Sequence, residues 1–278
     1  NRRSNPERLR AKRGNPRTIM NQKQIAINGL LLNYYTGGGD KSPALLFLHG
    51  WRSESIVWFP LLENFETENP IYCLDLPGFG KSELPREPYG VENYSEMVSG
   101  FISKLGLENV VIVGHSFGGR IAIKLASKHP GFLRGIVLVD SAGFVDSTLS
   151  NKLKRIIAKL LKPIFKLKLL HGIRNSIYRL IGSEDYIATP QLRETYLKVI
   201  GEDLSEALKQ INVPTTIIWG AQDKDTPVKW ARKMKDIIKN SKLVVLNGAG
   251  HFSFLDKKKE FSETLCDFLV QCSGSSTS

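Results

Sequence analysis

Six short apolar runs constrain this chain more than any other feature: ALLFLHG (44–50), IYCLDLPG (71–78), VVIVGHS (110–116), GIVLVDSAG (135–143), TTIIWGAQD (215–223) and KLVVLNGAGH (242–251). They are nearly continuous rather than alternating. A strand needs apolar residues on both faces only when both faces are covered, as in a parallel sheet between helices. Helical patterns fall near 54–66, 92–105, 117–129, 228–239 and 257–271, mostly between those runs. A further stretch, QIAINGLLLNYY (24–35), reads as a hairpin turning at Asn28-Gly29. The expected fold class is therefore α/β: a mostly parallel central sheet with flanking helices.

One interval breaks the alternation. From 147 to 208 the pattern is helical only, with Leu153, Ile156, Ile157, Leu160, Leu161 and Ile164 at three-and-four spacing. Pro163 should kink or end that helix. TPQLRETYLKVI then begins another, with Thr189 as the expected cap ahead of Pro190. The expected organisation is a disordered basic tail over 1–19, a core over 20–146, an inserted all-helical cap over 147–208, the rest of the core over 209–271 and a flexible end over 272–278.

The net charge of +12 is concentrated in two places. Residues 1–17 carry seven Lys/Arg against one acid, Glu7, and residues 147–183 carry nine Lys/Arg and no acid. No basic face with aromatic readers accompanies them, so nucleic-acid binding is not expected. The cationic, amphipathic stretch near 152–170 offers weak association with an anionic membrane surface, or attraction of acidic substrates. The plainer reading is that its apolar stripe packs over the site while its lysines are solvated. Ile156, Leu160, Phe165, Ile177 and Tyr178 would then line an apolar pocket. No apolar run is long enough to span a bilayer, and no secretory signal is visible. Three cysteines, Cys73, Cys266 and Cys272, make neither a disulfide framework nor a zinc site and fit a reducing, cytoplasmic setting.

The third run leads into Gly114-His115-Ser116-Phe117-Gly118 and then a helical pattern. A Gly-x-Ser-x-Gly at a strand-to-helix turn lifts the serine oxygen above the sheet edge, and Gly114 and Gly118 leave room for that turn. Serine is a weak nucleophile at neutral pH and needs a base and oxyanion donors. His251, after the last strand, is the expected base; His49, His115, His129 and His171 are read as ordinary core or surface residues. The expected orienting acid is Asp223, with two rivals: Asp225, two residues further along the same loop, and Asp140, at an earlier strand end. The backbone amides of Phe117 and Trp51 are the expected oxyanion donors. GFGKS (78–82) shares its last residues with a phosphate-binding loop, but Asp75 stands where that pattern needs glycine, so no nucleotide is expected. No metal or other cofactor is required by this chemistry.

FLHGW, DLPGFGKS, VGHSFGGRIA, LVDSAG, WGAQDKDTP and GAGHFSFLD together make the chain resemble the α/β-hydrolase superfamily, from Ile25 to about Leu269. It looks most like the capped serine esterases and meta-cleavage-type hydrolases. The resemblance implies Ser116 as nucleophile, His251 as base, Asp223 as acid and Trp51 with Phe117 as oxyanion donors. It also implies a small-molecule ester as substrate. Serine at position 116 sets the chain apart from superfamily members with an aspartate nucleophile. Trp51-Arg52-Ser53 stands where the C–C hydrolases carry further glycines. The rival functions are C–C bond hydrolysis, with Arg174 or Arg179 on a substrate carboxylate, perhydrolysis or acyl transfer, and ligand sensing without turnover.

Overall fold

The structure is a computed structural model, and it describes residues 19–63, 65, 67–145 and 189–273. Eight strands form one sheet in the order β1-β2-β4-β3-β5-β6-β7-β8. They are β1 (Asn21–Ile27), β2 (Leu30–Gly38), β3 (Ala44–Leu48), β4 (Pro70–Leu74), β5 (Val110–His115), β6 (Leu133–Val139), β7 (Thr215–Gly220) and β8 (Ser241–Leu246). β1 pairs antiparallel with β2, and β2 antiparallel with β4; every later pairing is parallel. The β1–β2 turn falls at Asn28-Gly29, where both residues have positive φ (49° and 78°), as a two-residue hairpin requires. All the strands expected from the sequence are present, in the mostly parallel α/β arrangement expected.

The continuous apolar runs have a direct cause in this sheet. Side chains alternate faces along a strand. Leu46, Leu48, Val110, Ile112, Ile136 and Leu138 join a core with α2 (Val91–Lys104), α3 (Phe117–Ala126) and α6 (Lys229–Ile237). Leu45, Phe47, Val111, Val113, Val137 and Val139 join a second core on the other face. Its helices are α1 (Phe59–Leu62), α7 (Ser253–Asp256) and α8 (Lys258–Ser273). The edge strand β8 differs from the expectation of a buried strand. Only Leu246 in it is fully buried, because β8 has a neighbour on one side alone.

Two helical expectations are corrected and one element is added. The pattern at 54–66 yields a 3₁₀ turn, Ser55–Trp58, followed by the four-residue α1. Ile56, Val57 and Trp58 are poor helix formers, and Pro60 tolerates only a first turn. The turn α7, just after His251, is an added element that the sequence pattern does not announce. Thr189 precedes a 3₁₀ turn, Pro190–Leu192, but its side chain makes no capping hydrogen bond; its carbonyl accepts from Leu192 N instead.

Between β6 and β7 the described chain is helical: the Pro190–Leu192 turn, α4 (Arg193–Gly201) and α5 (Ser205–Lys209). The remainder of the interval assigned to the cap lies outside the described residues. With it go the cationic helix near 152–170, the pocket residues expected there, Arg174 and Arg179, and His171. Most of both tails lies outside them as well. No helix among the described residues is long and apolar enough to cross a membrane. The three cysteines are unpaired.

Candidate active site

Ser116 occupies the single residue between β5 and α3, with φ 51° and ψ −106°. A non-glycine residue in this region costs about 1–3 kcal/mol and persists only where its surroundings fix it. Here the Ser116 amide donates to Val139 O at 3.0 Å. Its carbonyl accepts from Gly119 N, Arg120 N and Ala142 N at 3.1, 3.3 and 3.1 Å. The turn is tight enough to exclude side chains. A Cβ on Gly114 would lie 2.5 Å from Gly118 O, and one on Gly118 would lie 2.4 Å from Leu48 O. Gly119, which sequence reading did not single out, is equally constrained, since its Cβ would meet Ser141 Oγ at 2.0 Å.

His251 comes from the loop after β8. Its Nδ1 donates to Asp223 Oδ2 at 2.9 Å. The Asp223 side chain is fully buried. Its Oδ1 accepts from Asp225 N at 2.8 Å and Thr226 N at 2.9 Å, and its Oδ2 accepts from Thr226 Oγ1 at 2.6 Å. Burial opposes ionisation of Asp223, but the His251 and Thr226 hydrogen bonds outweigh it and hold its pKa below the ordinary value. Burial likewise opposes a charge on His251, and the Asp223 carboxylate outweighs it, holding the imidazole pKa above its ordinary 6.5. Asp223, Asp225 and His251 bring ligand-type atoms within 4.8 Å of one another. The protein's own donors already occupy both Asp223 oxygens, however, and Nδ1 faces one of them.

The two rival acids have other positions. Asp225 is exposed and gives only its amide to Asp223. Asp140 is fully buried at the end of β6. Its Oδ1 accepts from Gly220 N at 2.7 Å and its Oδ2 from Ser253 N at 3.0 Å. It thus ties the end of β7 to the turn that follows His251. Burial pushes its pKa up to about 7, despite those hydrogen bonds.

Ser116 and His251 line one cavity of about 620 Å³. Gly50 brings the loop after β3 against the elbow: a Cβ there would lie 3.3 Å from Ser116 Cβ and 2.9 Å from His115 Nδ1. The next amide is that of Trp51. Phe117 N is the first amide of α3 and has no carbonyl four residues back within the helix. The Trp51 ring packs edge-on against Phe79 and Phe117, with centroids 4.9 and 5.2 Å away, and tilted against Tyr196 at 5.2 Å. Tyr196, Val199 and Ile200 of α4, with Phe144 and Trp230, complete an apolar wall. These residues, like Thr226 and Arg120, carry no local motif; three-dimensional proximity alone marks them.

The other histidines divide. His49 is buried and satisfied, with Nδ1 donating to Gly50 O at 2.8 Å and Nε2 accepting from Leu76 N at 3.0 Å. Burial lowers its pKa to about 4. His129 is exposed, near Asn212. His115 donates from Nε2 to the His251 carbonyl at 2.7 Å, so it belongs to the site. The GFGKS stretch wraps a carboxylate rather than a phosphate. Buried Asp75 accepts from Lys81 N, Ser55 N and Asn33 Nδ2 at 2.9, 2.7 and 2.8 Å.

A strained serine at a strand–helix elbow, opposite a carboxylate-bound histidine on a mostly parallel sheet, is the arrangement of a hydrolase. The chain belongs to the alpha/beta hydrolase family, whose model matches residues 45–264. It is similar to the uncharacterized hydrolase YugF of Bacillus subtilis, with 25% identity covering 89% of this chain and 97% of that one. It is also similar to a monoacylglycerol lipase of Bos taurus, with 24% identity covering 85% and 78%. In fold it is similar to a bacterial membrane phospholipase A described as a virulence factor. That match has TM-score 0.75 and 24% identity over 92% of this chain and 87% of the other. A thermophilic esterase from Thermogutta terrifontis gives TM-score 0.69 and 21% identity over 91% and 99%.

Proposed function

We propose that the protein is a serine hydrolase cleaving carboxylic esters of small to medium apolar acyl or aromatic groups. Ser116 Oγ attacks the ester carbonyl while His251 takes its proton. With Nδ1 bound to Asp223, Nε2 is the nitrogen left to act as base. Asp223 fixes that tautomer and stabilises the imidazolium. The amides of Trp51 and Phe117 receive the oxyanion. His251 then protonates the leaving alcohol, and water attacks the acyl-enzyme by the same route.

What supports this reading most is the sharing of one cavity by a serine in a strained turn and a histidine whose far nitrogen is bound to a buried carboxylate. The aromatic and aliphatic wall fits apolar substrate groups. The lipase and esterase relatives favour an ester bond. Interval 147–208 is proposed as a helical cap, and its described residues Tyr196, Val199 and Ile200 already line the cavity. Hydrolysis of a p-nitrophenyl ester series from acetate upward tests the reading. Turnover that disappears in Ser116→Ala is expected. Absence of turnover at every chain length, or full activity in Ser116→Ala, would overturn it.

A further inference from the structure

We infer that Arg120 forms an anion subsite beside Ser116, so that the preferred esters carry a carboxylate at the far end of the acyl chain. The inference rests on the ester-hydrolase reading and names its substrate class.

Arg120 lies in α3 four residues after Ser116, one helical turn or about 6 Å along the axis. It borders the same cavity, yet only 3% of its surface is exposed. A buried guanidinium is normally paired with a carboxylate. Arg120 makes no ion pair among the described residues. One terminal nitrogen donates to the Glu202 backbone carbonyl, and Nε has no partner among the described residues.

The nearby acids are already engaged. Glu202 Oε1 accepts from Lys124 Nζ at 3.0 Å. Asp203 Oδ1 accepts from Ser205 N at 2.9 Å and Oδ2 from Val145 N at 3.0 Å. Burial lowers the Arg120 pKa to about 10, so the group remains charged at neutral pH.

A second residue lining the cavity also has an unused donor, since buried Trp51 Nε1 has no partner among the described residues. Two buried donors without acceptors, one of them cationic, are complementary to an acceptor-rich anion. The one acid on the described wall, Asp225, is exposed and stands in the turn that holds Asp223. The apolar residues Phe144, Val199 and Ile200 would receive the methylenes between ester and carboxylate.

The test compares kcat/KM for p-nitrophenyl butyrate, hexanoate and octanoate with that for the mono-p-nitrophenyl esters of the matching dicarboxylic acids. The wild type should prefer the carboxylate-bearing ester at one length by about tenfold or more. Arg120→Gln should cut that ratio by about tenfold, and Arg120→Lys should cut it less. A wild type that prefers the neutral ester at every length, or a ratio unchanged in Arg120→Gln, would overturn the proposal.

Should Arg120→Gln fail to fold, inhibition of the wild type decides. Linear dicarboxylate monoamides should compete about tenfold better than the corresponding uncharged amides, with an advantage that fades in high salt. Equal inhibition would overturn the subsite. If no ester is hydrolysed at all, the Ser116 reading fails separately. Thermal stabilisation of the protein by the monoamide, and not by its uncharged partner, then tests the subsite alone.

Discussion

His115 and His251 stand 136 residues apart in sequence and are joined by one hydrogen bond: His115 Nε2 donates to the His251 backbone carbonyl at 2.7 Å. The residue before Ser116 therefore fixes the main chain of the proposed base. Burial, with the nearby His251 charge, lowers the His115 pKa to about 3, so it stays neutral and its proton stays on Nε2. In His115→Phe the His251 loop loses this anchor. The expected loss in kcat/KM is about tenfold to a hundredfold, the scale of a small misplacement of a reacting group. His115→Gln, which retains a donor, should recover part of the activity. Equal losses in the two variants at equal melting temperature would count against an anchoring role.

The proposed mechanism needs a neutral His251, so kcat/KM should rise with pH through a midpoint above 6.5. Asp223→Asn should lower that midpoint and reduce kcat by roughly 10⁴. The pair also carries a stability signature. The raised His251 pKa gives stability that is complete below 6.5 and is lost as pH rises through its folded value. The lowered Asp223 pKa gives stability that is present above 3.8 and is lost as pH falls through its folded value. Melting temperature against pH, for the wild type and Asp223→Asn, reads both.

Asp140 should act in the opposite sense to Asp223. Its folded pKa is raised to about 7 from 3.8, so the native state holds the proton more tightly than the unfolded chain. Its contribution to stability is complete below pH 3.8 and declines as pH rises to about 7. In Asp140→Asn that slope should vanish. The amide then offers one acceptor to two amides, Gly220 N and Ser253 N, so one is left unsatisfied at about 1–3 kcal/mol. Urea denaturation at several pH values measures both effects.

The elbow glycines should differ in how they can be rescued. A Cβ on Gly118 meets the Leu48 carbonyl, which belongs to β3 and cannot move. A Cβ on Gly119 meets the Ser141 side chain. Both alanine variants should destabilise by roughly 1–3 kcal/mol. Ser141→Gly should restore stability to Gly119→Ala but not to Gly118→Ala. A double-mutant cycle by denaturant unfolding tests the coupling.

The sheet was legible because each central strand is buried on both faces, which leaves little choice of residue in ALLFL or VVIV. The elbow was legible because backbone crowding at Gly114 and Gly118 admits only glycine. Asp223 and His251 were legible as polar residues just beyond apolar runs, where parallel strands deliver their last residues to one edge of the sheet. The Asp140 tether, the His115 anchor and the Arg120 guanidinium, without an ion pair among the described residues, were not. Each depends on a partner between 80 and 136 residues away, or on the lack of one, and local periodicity carries no trace of that. The helical pattern at 54–66 misled because its apolar spacing serves Trp58, Leu61 and Leu62 in a core that two short turns fill just as well.

The most direct test of the central claim is the reaction of the protein with diethyl p-nitrophenyl phosphate, followed by intact mass and peptide mapping. One diethylphosphoryl group on Ser116 is predicted, absent in Ser116→Ala and formed far more slowly in His251→Gln. An unmodified Ser116, or modification at another residue with Ser116 intact, would contradict the account.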